Sequence, residues 1–388
     1  MKPSILLLGL FDTAIMTARC FKGEKLIVYG MDYNAKLNGF HSNLIKPVHC
    51  PNPNKHEILW VNFVRNWLIN SKGPFVLIPT SDEFVYFYTK HHEKFKELCS
   101  ALLPDFLNIK KLFERDKQFE EVKKIGINVP KFIVGPVSID CLEKEKYSLP
   151  LAVKPVNSPE WKSKFNNKGF VISEMEDLKK KIKLLNNYNI HYIVQEIIEG
   201  NNSNNYEVNS IYLPNGKIIQ HTIRKIRQFP DRFGTATAIE HIEYPELETM
   251  ANRIIQNMNL KGFTNIEFKL NKRDGLFYYI ETNARVWYQV NYSQKIAINF
   301  PLMYYNYLTN GKFSLTQAVR NKGKWIDFLP DLLFFLKYKK KYNLSLYKHL
   351  KSWFPVISTG LFSLRDFKPF YKDLNISTKI FKIKGCTK

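Results

Sequence analysis

The first hundred residues alternate between unbroken apolar runs and segments with helical spacing. Ser4–Gly9, Leu26–Asp32 and Phe75–Pro79 are short runs bounded by glycine, acid or proline, the pattern of strands buried on both faces. Between them, His56–Asn70 places Ile58, Leu59, Phe63, Trp67 and Leu68 at helical intervals, and Thr80–Glu83 opens another helix. Such alternation predicts an open, mostly parallel α/β sheet over residues 1–110. Gly9 ends the first strand but no GxGxxG follows it, so no dinucleotide site is read there.

The rhythm then changes. Asp116–Lys124 reads as a helix stopped near Gly126, "INVPKFIVG" and "LPLAVKP" as short strands, and Leu178–Leu185 as a lysine-rich amphipathic helix. "HYIVQEIIEG" is a strand ending at Gly200, followed by the polar loop Asn201–Asn205. Tyr206–Leu213 and Lys217–Ile226 are strands joined by Pro214-Asn-Gly216, a strong hairpin signal. Glu246–Asn259 is a helix with an apolar stripe at Leu247, Met250, Ile254 and Met258. Two mixed units thus follow the first domain, divided near Gln195–Gly200.

A second hairpin carries the candidate chemistry. Phe263–Leu270 and Leu276–Asn283 are aromatic-rich strands around the turn residues Asn271–Gly275. A turn centred on Arg273 sets Glu267 opposite Tyr279, and alternation then puts Glu281 and Asn283 on the same face. The two acids become diagonal neighbours about 7–8 Å apart at the backbone. Two bare carboxylates at that distance repel, and a divalent cation between them removes the conflict, with Mg2+ suited to oxygen ligands. The plainer alternative is two acids on a solvated face, and a one-residue slip would separate them onto opposite faces.

Composition narrows the class. The chain has 388 residues, ordinary apolar content and abundant aromatics, enough for two or three cored domains. Cys20, Cys50, Cys99, Cys141 and Cys386 are scattered, odd in number and without a CxxC pair. That pattern predicts a reducing, cytoplasmic setting without structural disulfides or zinc. Met1-Lys2-Pro3 leads straight into an apolar strand, unlike a secretory leader, and no apolar run nears the length of a membrane span. The formal charge is +23, of which +13 falls between Lys312 and Lys388 (seventeen Lys or Arg against four Asp). There Lys337–Lys341 holds four lysines, and "SLYKHLKSWF" reads as a basic amphipathic helix. A helix of that kind suits an anionic membrane surface, with peripheral attachment at the inner membrane face as the corresponding expectation. A merely solvated charged face, in a chain rich in Lys, Asn and Ile, is the alternative.

Two lysines add to the diacid hairpin. "ERDKQF" presents Lys117 at a helix start, and "LAVKP" presents Lys154 near the end of an apolar strand, where a cation is costly to bury unless it meets an anion. At this point the sequence resembles the ATP-grasp superfamily, and within it the branch of predicted carboxylate–amine ligases. The resemblance rests on "RDKQF", "LPLAVKP", "YIVQEIIEG", "IRKIRQFPDRFGTAT", "GFTNIEFK" and "YYIETNARVW", and spans roughly residues 4–310.

The resemblance implies an α/β and α+β chain. A Rossmann-like domain (1–110) would precede a small (111–196) and a large (197–310) ATP-grasp subdomain, and a basic extension (311–388) would follow. It implies that Lys117 and Lys154 meet ATP phosphates. Gln195, Glu196, Ile197 and Ile198 would form the hinge that reads adenine. Glu267, Glu281 and Asn283 would hold Mg2+, or Mn2+ in its place. Arg285 would face the γ-phosphate or an acyl phosphate, and Lys225 and Arg227 a phosphate or the substrate carboxylate. A basic solvated strand is the alternative for Arg224, Lys225 and Arg227. Glu199 and Glu207 are both candidates for the ribose contact, with Glu207 preferred.

The sequence also departs from the family. The phosphate-covering segment Asn157–Lys168 lacks glycine and carries Trp161, Lys162, Lys164 and Lys168 instead, so it either grips phosphate with lysines or closes more loosely. Asp12, His41, Ser42 and Thr80–Glu83 are candidates for an acceptor pocket, or equally caps and turn residues. The activity implied is ATP-dependent joining of a small carboxylate to an amine. A small-molecule kinase and a non-catalytic nucleotide-binding protein at an anionic surface are the rivals. A homodimer is admitted, and a nucleic-acid partner is not expected.

Overall fold

The computed structural model describes residues 2–71, 73–144, 147–156, 161, 164, 165, 167–311 and 323–374. Three sheets organise them. The first comprises β1 (Ser4–Leu8), β2 (Val28–Asp32), β3 (Lys46–His49), β4 (Phe75–Pro79) and β5 (Cys99–Ser100), all parallel in the order β3-β2-β1-β4-β5. Ile5–Leu8 and Leu77–Ile78 are fully buried, as their unbroken apolar runs require when helices cover both faces. One face packs into a core with Ile15, Met16 and Phe300, the other against Trp60, Val64 and Phe84.

The second sheet contains β6 (Phe132–Val134), β7 (Leu151–Pro155), β8 (Phe170–Ile172) and β9 (Tyr192–Glu196), in the order β6-β9-β7-β8. Helix Met175–Asn187 covers it, and Trp161, Leu178, Ile182 and Tyr192 fill the small core between them.

The third sheet is the largest. It unites β10 (Asn205–Tyr212), β11 (Ile218–Phe229), β12 (Thr235–Ile242), β13 (Gly262–Leu270), β14 (Phe277–Asn283), β15 (Lys324–Ile326) and β16 (Val356–Thr359) in the order β14-β13-β10-β11-β12-β15-β16. The β10–β11 turn is the expected one, with Gly216 at φ +84° and its N–H donating to the Leu213 carbonyl at 3.0 Å, a backbone state that favours glycine. Helix Pro245–Asn257 packs one face of this sheet through Leu247, Ala251, Ile254 and Ile255.

The basic extension is part of this architecture. Its strand β15 pairs with β12, and β16 runs parallel to β15. Arg19, at the end of the helix that follows β1, donates to the carbonyls of Gly360 and Leu361. Asp366 accepts from Ser42 Oγ at 2.7 Å and from the Asn43 N–H at 2.9 Å. Among the described residues no helix is long and apolar enough to cross a membrane.

Candidate functional site

The acids of the second hairpin lie side by side, by a route the alternation rule did not foresee. Past the turn, Phe268 pairs with Tyr279 and Lys269 with Tyr278, one residue out of the expected register. Left uncorrected, that slip would send Glu281 to the far face. A bulge intervenes, so that beyond it Glu267 stands opposite Glu281 and Asn265 opposite Asn283. The extra residue, Ile280, reverses the alternation on one strand only. Tyr279 is therefore buried in the core beside Phe119 and Phe268, not on the acid face where the simple register placed it.

The next strand extends the row. Glu207 of β10 pairs with Glu267, so Glu207, Glu267 and Glu281 cross three adjacent strands. Cations hold them apart. Lys225 Nζ lies 2.7 Å from Glu267 Oε2 and 3.1 Å from Glu207 Oε1. Arg115 donates to Glu281 Oε2 at 2.9 Å and to the Ile280 carbonyl at 3.3 Å. Asn265 donates to Glu207 at 2.9 Å and to Asn209 Oδ1 at 2.8 Å, and Asn283 donates to Asn265 Oδ1 at 3.1 Å.

Burial and charge set the ionisation of this row. Burial alone would raise the Glu281 carboxyl, but Arg115 and then Lys154 outweigh it and hold it down to about 2. Burial, opposed by Lys225 but reinforced by Glu207 and Glu281, pushes the Glu267 carboxyl above the usual range. Lys225 is lowered by burial, yet the two carboxylates it bridges raise it on balance. Lys154 has no such partner among the described residues. Burial and the nearby Arg115 push it down to about 7, and its Nζ rests 4.5 Å from the centre of the Phe233 ring. Burial, Arg232 and Lys225 likewise lower Lys269 to about 8.

These groups line a cavity of about 750 Å³ between the four-stranded and seven-stranded sheets. Ala152 and Lys154 of β7 and the segment Gln195–Asn202 form one wall; the acid row forms the other. Ile197 and Ile198 leave β9 with no backbone hydrogen bond to a described residue. The buried Gln195 Oε1 also lacks a partner among the described residues.

Residues 227–305 match the family model of the ATP-binding domain of the carbamoyl-phosphate synthase L chain. No curated protein sequence matches the chain. Among solved structures, the L-amino acid ligase from Bacillus licheniformis superposes with a TM-score of 0.64 at 15% identity, over 83% of this chain and 78% of that one. N5-carboxyaminoimidazole synthetase from Staphylococcus aureus, complexed with ADP, gives 0.63 at 15% identity over 88% and 87%. The biotin carboxylase domain of 2-oxoglutarate carboxylase from Hydrogenobacter thermophilus, in complex with MgADP, ADP and bicarbonate, gives 0.63 at 11% identity over 84% and 74%. The chain has the ATP-grasp fold.

On that fold the expected residues divide. Lys154, Gln195–Ile198, Glu207, Lys225, Glu267, Glu281, Asn283 and Arg285 all line the cavity. Lys117 does not. It lies on the exposed side of helix Arg115–Lys124, paired with Glu120 at 3.0 Å, while Arg115 two residues earlier enters the cavity. Helical rotation over two residues is about 200°, so neighbours in one short motif point oppositely.

Arg227 is also absent from the cavity wall. A bulge in β11 between Lys225 and Arg227 breaks the alternation that would have put both on one face. Arg227 instead grips Asp331 of the extension at 2.8 and 3.0 Å. Arg224, the other basic residue of this strand, pairs with Glu240.

Glu207 stands in the acid row against Lys225, whereas Glu199 follows Ile198 on the opposite wall, next to Arg273. Of the segment expected to cover phosphate, Lys168 reaches the cavity and Trp161 is buried against Phe165 and Phe170. Lys162 lies outside the described residues. None of Asp12, His41, Ser42 and Thr80–Glu83 lines the cavity; Asp82 instead holds Arg285 at 2.8 Å.

Sequence reasoning missed Arg115, Arg232, Lys269, Lys341 and Tyr342, all cavity-lining. Lys269 was within reach, being two residues from Glu267 on one strand. Lys341 and Tyr342 were not, because their place depends on the extension folding back. Tyr342 OH bonds Asp231 at 2.7 Å, and Asp231 also accepts from Asn202 at 3.0 Å.

Proposed function

We propose that the protein is an ATP-dependent ligase that activates a small carboxylate as an acyl phosphate and joins it to an amine. The observation that carries this reading is the row Glu207–Glu267–Glu281, which lines the inter-sheet cavity across from Lys154. The donor set fits the group it would hold. Among the described residues no three His, Cys, Asp or Glu side chains converge as a ready-made metal cage. Glu267, Glu281 and the Asn283 amide instead offer a few protein oxygens, the partial set that Mg2+ completes with phosphate and water. Magnesium bound there would neutralise charge between the transferring and leaving phosphates.

The chain's own residues supply the rest. The unpaired backbone of Ile197 and Ile198 suits a planar base, with Gln195 Oε1 as a further acceptor. Lys154 and Arg115 take the phosphates, and Lys225 bridges Glu207 and Glu267 and fixes their orientation. Arg285, aimed by Asp82, faces the reacting carboxylate. A carboxylate is a poor electrophile towards an amine. Its oxygen first takes the γ-phosphoryl group with loss of ADP; the amine then attacks the acyl carbon and phosphate departs. Positioning and charge neutralisation are the main contributions such a site makes. No protein nucleophile is required.

Purified protein is expected to release phosphate from ATP only with a competent acid and amine, and hydroxylamine should trap the acid as its hydroxamate. A stable phosphoester in place of the hydroxamate would turn the reading to a kinase. Glu281→Ala should lower turnover at least about a hundredfold with the fold intact by circular dichroism. Normal ATP consumption by that variant would overturn the assignment.

A further inference from the structure

The helix in "SLYKHLKSWF" forms as Leu346–Lys351, with Ser345 Oγ accepting from the Lys348 N–H at 3.3 Å, but it faces the opposite way from an ordinary core helix. Its one buried side chain is His349, whose Nε2 lies 2.9 Å from Asp331 Oδ2. Leu346, Tyr347 and Leu350 face solvent, with Tyr347 72% exposed. Phe354 just beyond is 67% exposed, and Leu364, Phe367 and Tyr371 are exposed as well.

The two sets flank one aromatic seam. Trp353 packs on Phe328 at 4.9 Å, Phe328 on Phe362 at 5.6 Å, and Phe362 on Phe367 at 6.4 Å. Lys348, Lys351, Arg365 and Lys368 are exposed among these groups. The one acid between Asn343 and Lys372 is Asp366, buried and bonded to Ser42 and Asn43.

Large apolar side chains left exposed on either side of such a seam mark an interaction surface. Its charge selects the partner. Protein–protein interfaces are depleted in lysine, whereas aromatic and aliphatic groups ringed by Lys and Arg match the boundary between lipid headgroups and acyl chains. We propose that this face docks the protein on an anionic lipid bilayer. Leu346, Tyr347, Leu350 and Phe354 enter the headgroup boundary while Lys348, Lys351, Arg365 and Lys368 meet lipid phosphates. None of these residues lines the cavity, so the surface stands independently of the reaction proposed above.

The test is co-sedimentation of the full chain with phosphatidylcholine vesicles, with and without phosphatidylglycerol, at low and high salt. Binding is expected on the anionic vesicles and should weaken with salt. The triple variant Leu346→Ser, Tyr347→Ser, Leu350→Ser should lower partitioning about tenfold or more at unchanged charge. Lys348→Glu with Lys351→Glu should lower it by about fivefold or more for each site. An unchanged melting temperature would show that both variants are folded, as their exposure leads one to expect. No binding to anionic vesicles would overturn the proposal. So would full binding by the triple serine variant, which would reduce the effect to net charge. Sedimentation velocity showing a dimer that the serine variant dissolves would assign the face to a second copy of the chain instead.

Discussion

Lys154 and Arg115 show what a single residue's surroundings decide. Lys154 lies near the end of an apolar strand, meets no carboxylate partner among the described residues, and is pushed down to about 7 by burial and Arg115. A polyphosphate bound against it would restore its proton. At pH 8, ATP binding is therefore expected to take up close to one proton, read by calorimetry in two buffers of different ionisation enthalpy. Lys154→Met should bind weakly and without that uptake. The sign for stability follows from the same shift. The unfolded chain holds the lysine proton up to about pH 10.4, so between about 7 and 10.4 the unfolded state binds more protons and ligand-free stability rises with pH. That rise should flatten in Lys154→Met, as followed by urea unfolding at several pH values. Lys117, expected in this role, pairs with Glu120 on the outside, because two steps along a helix nearly reverse direction.

At the scale of elements, two bulges decide which side chains serve the cavity. The bulge at Ile280 brings Glu281 beside Glu267 despite a slipped register, and frees Tyr279 for the core. The bulge between Lys225 and Arg227 keeps the first in the acid row and sends the second to Asp331. Asp331 is fully buried and accepts from Arg227, Thr237 and Trp353. Burial would raise its carboxyl, but His349 and Arg227 outweigh this and hold it below the ordinary range. Asp331→Ala strands a buried guanidinium and is expected to destabilise by about 3–5 kcal/mol in denaturant unfolding. The contribution of Asp331 is present above about pH 4 and is lost as pH falls through its lower folded value. Arg227 lies outside the cavity, so ATP turnover at a permissive temperature should survive the substitution, in contrast to Glu281→Ala.

For the whole molecule, the basic extension is structural as well as charged. It continues the large sheet through β15 and β16, places Asp327 against the cavity residue Tyr288 at 2.7 Å, and reaches the connections of the first sheet through Arg19, Ser42 and Asn43. Ending the chain at Gly323 would bare the β12 edge and uncover Ile239, which packs with Trp325. An exposed edge of that kind invites aggregation. The truncated protein is expected in the insoluble fraction on expression; a soluble, cooperatively unfolding product would show that the extension is dispensable to the fold.

The sequence by itself determined the first, parallel sheet, the hairpin turn at Gly216, and the places of Gln195–Ile198 and of the two acids Glu267 and Glu281 on segments that line the cavity. Buried strands, tight turns and isolated acids within apolar runs leave local signatures that need no knowledge of distant contacts. Only the tertiary structure decided that Arg115 and not Lys117 enters the cavity, that Arg227 turns away, and that Lys341 and Tyr342 complete the wall. It also decided that the leucines and tyrosine of Leu346–Lys351 face outward. Bulges, helix rotation and the packing of distant segments settle those directions, and each depends on which neighbour is in place to compensate a buried charge.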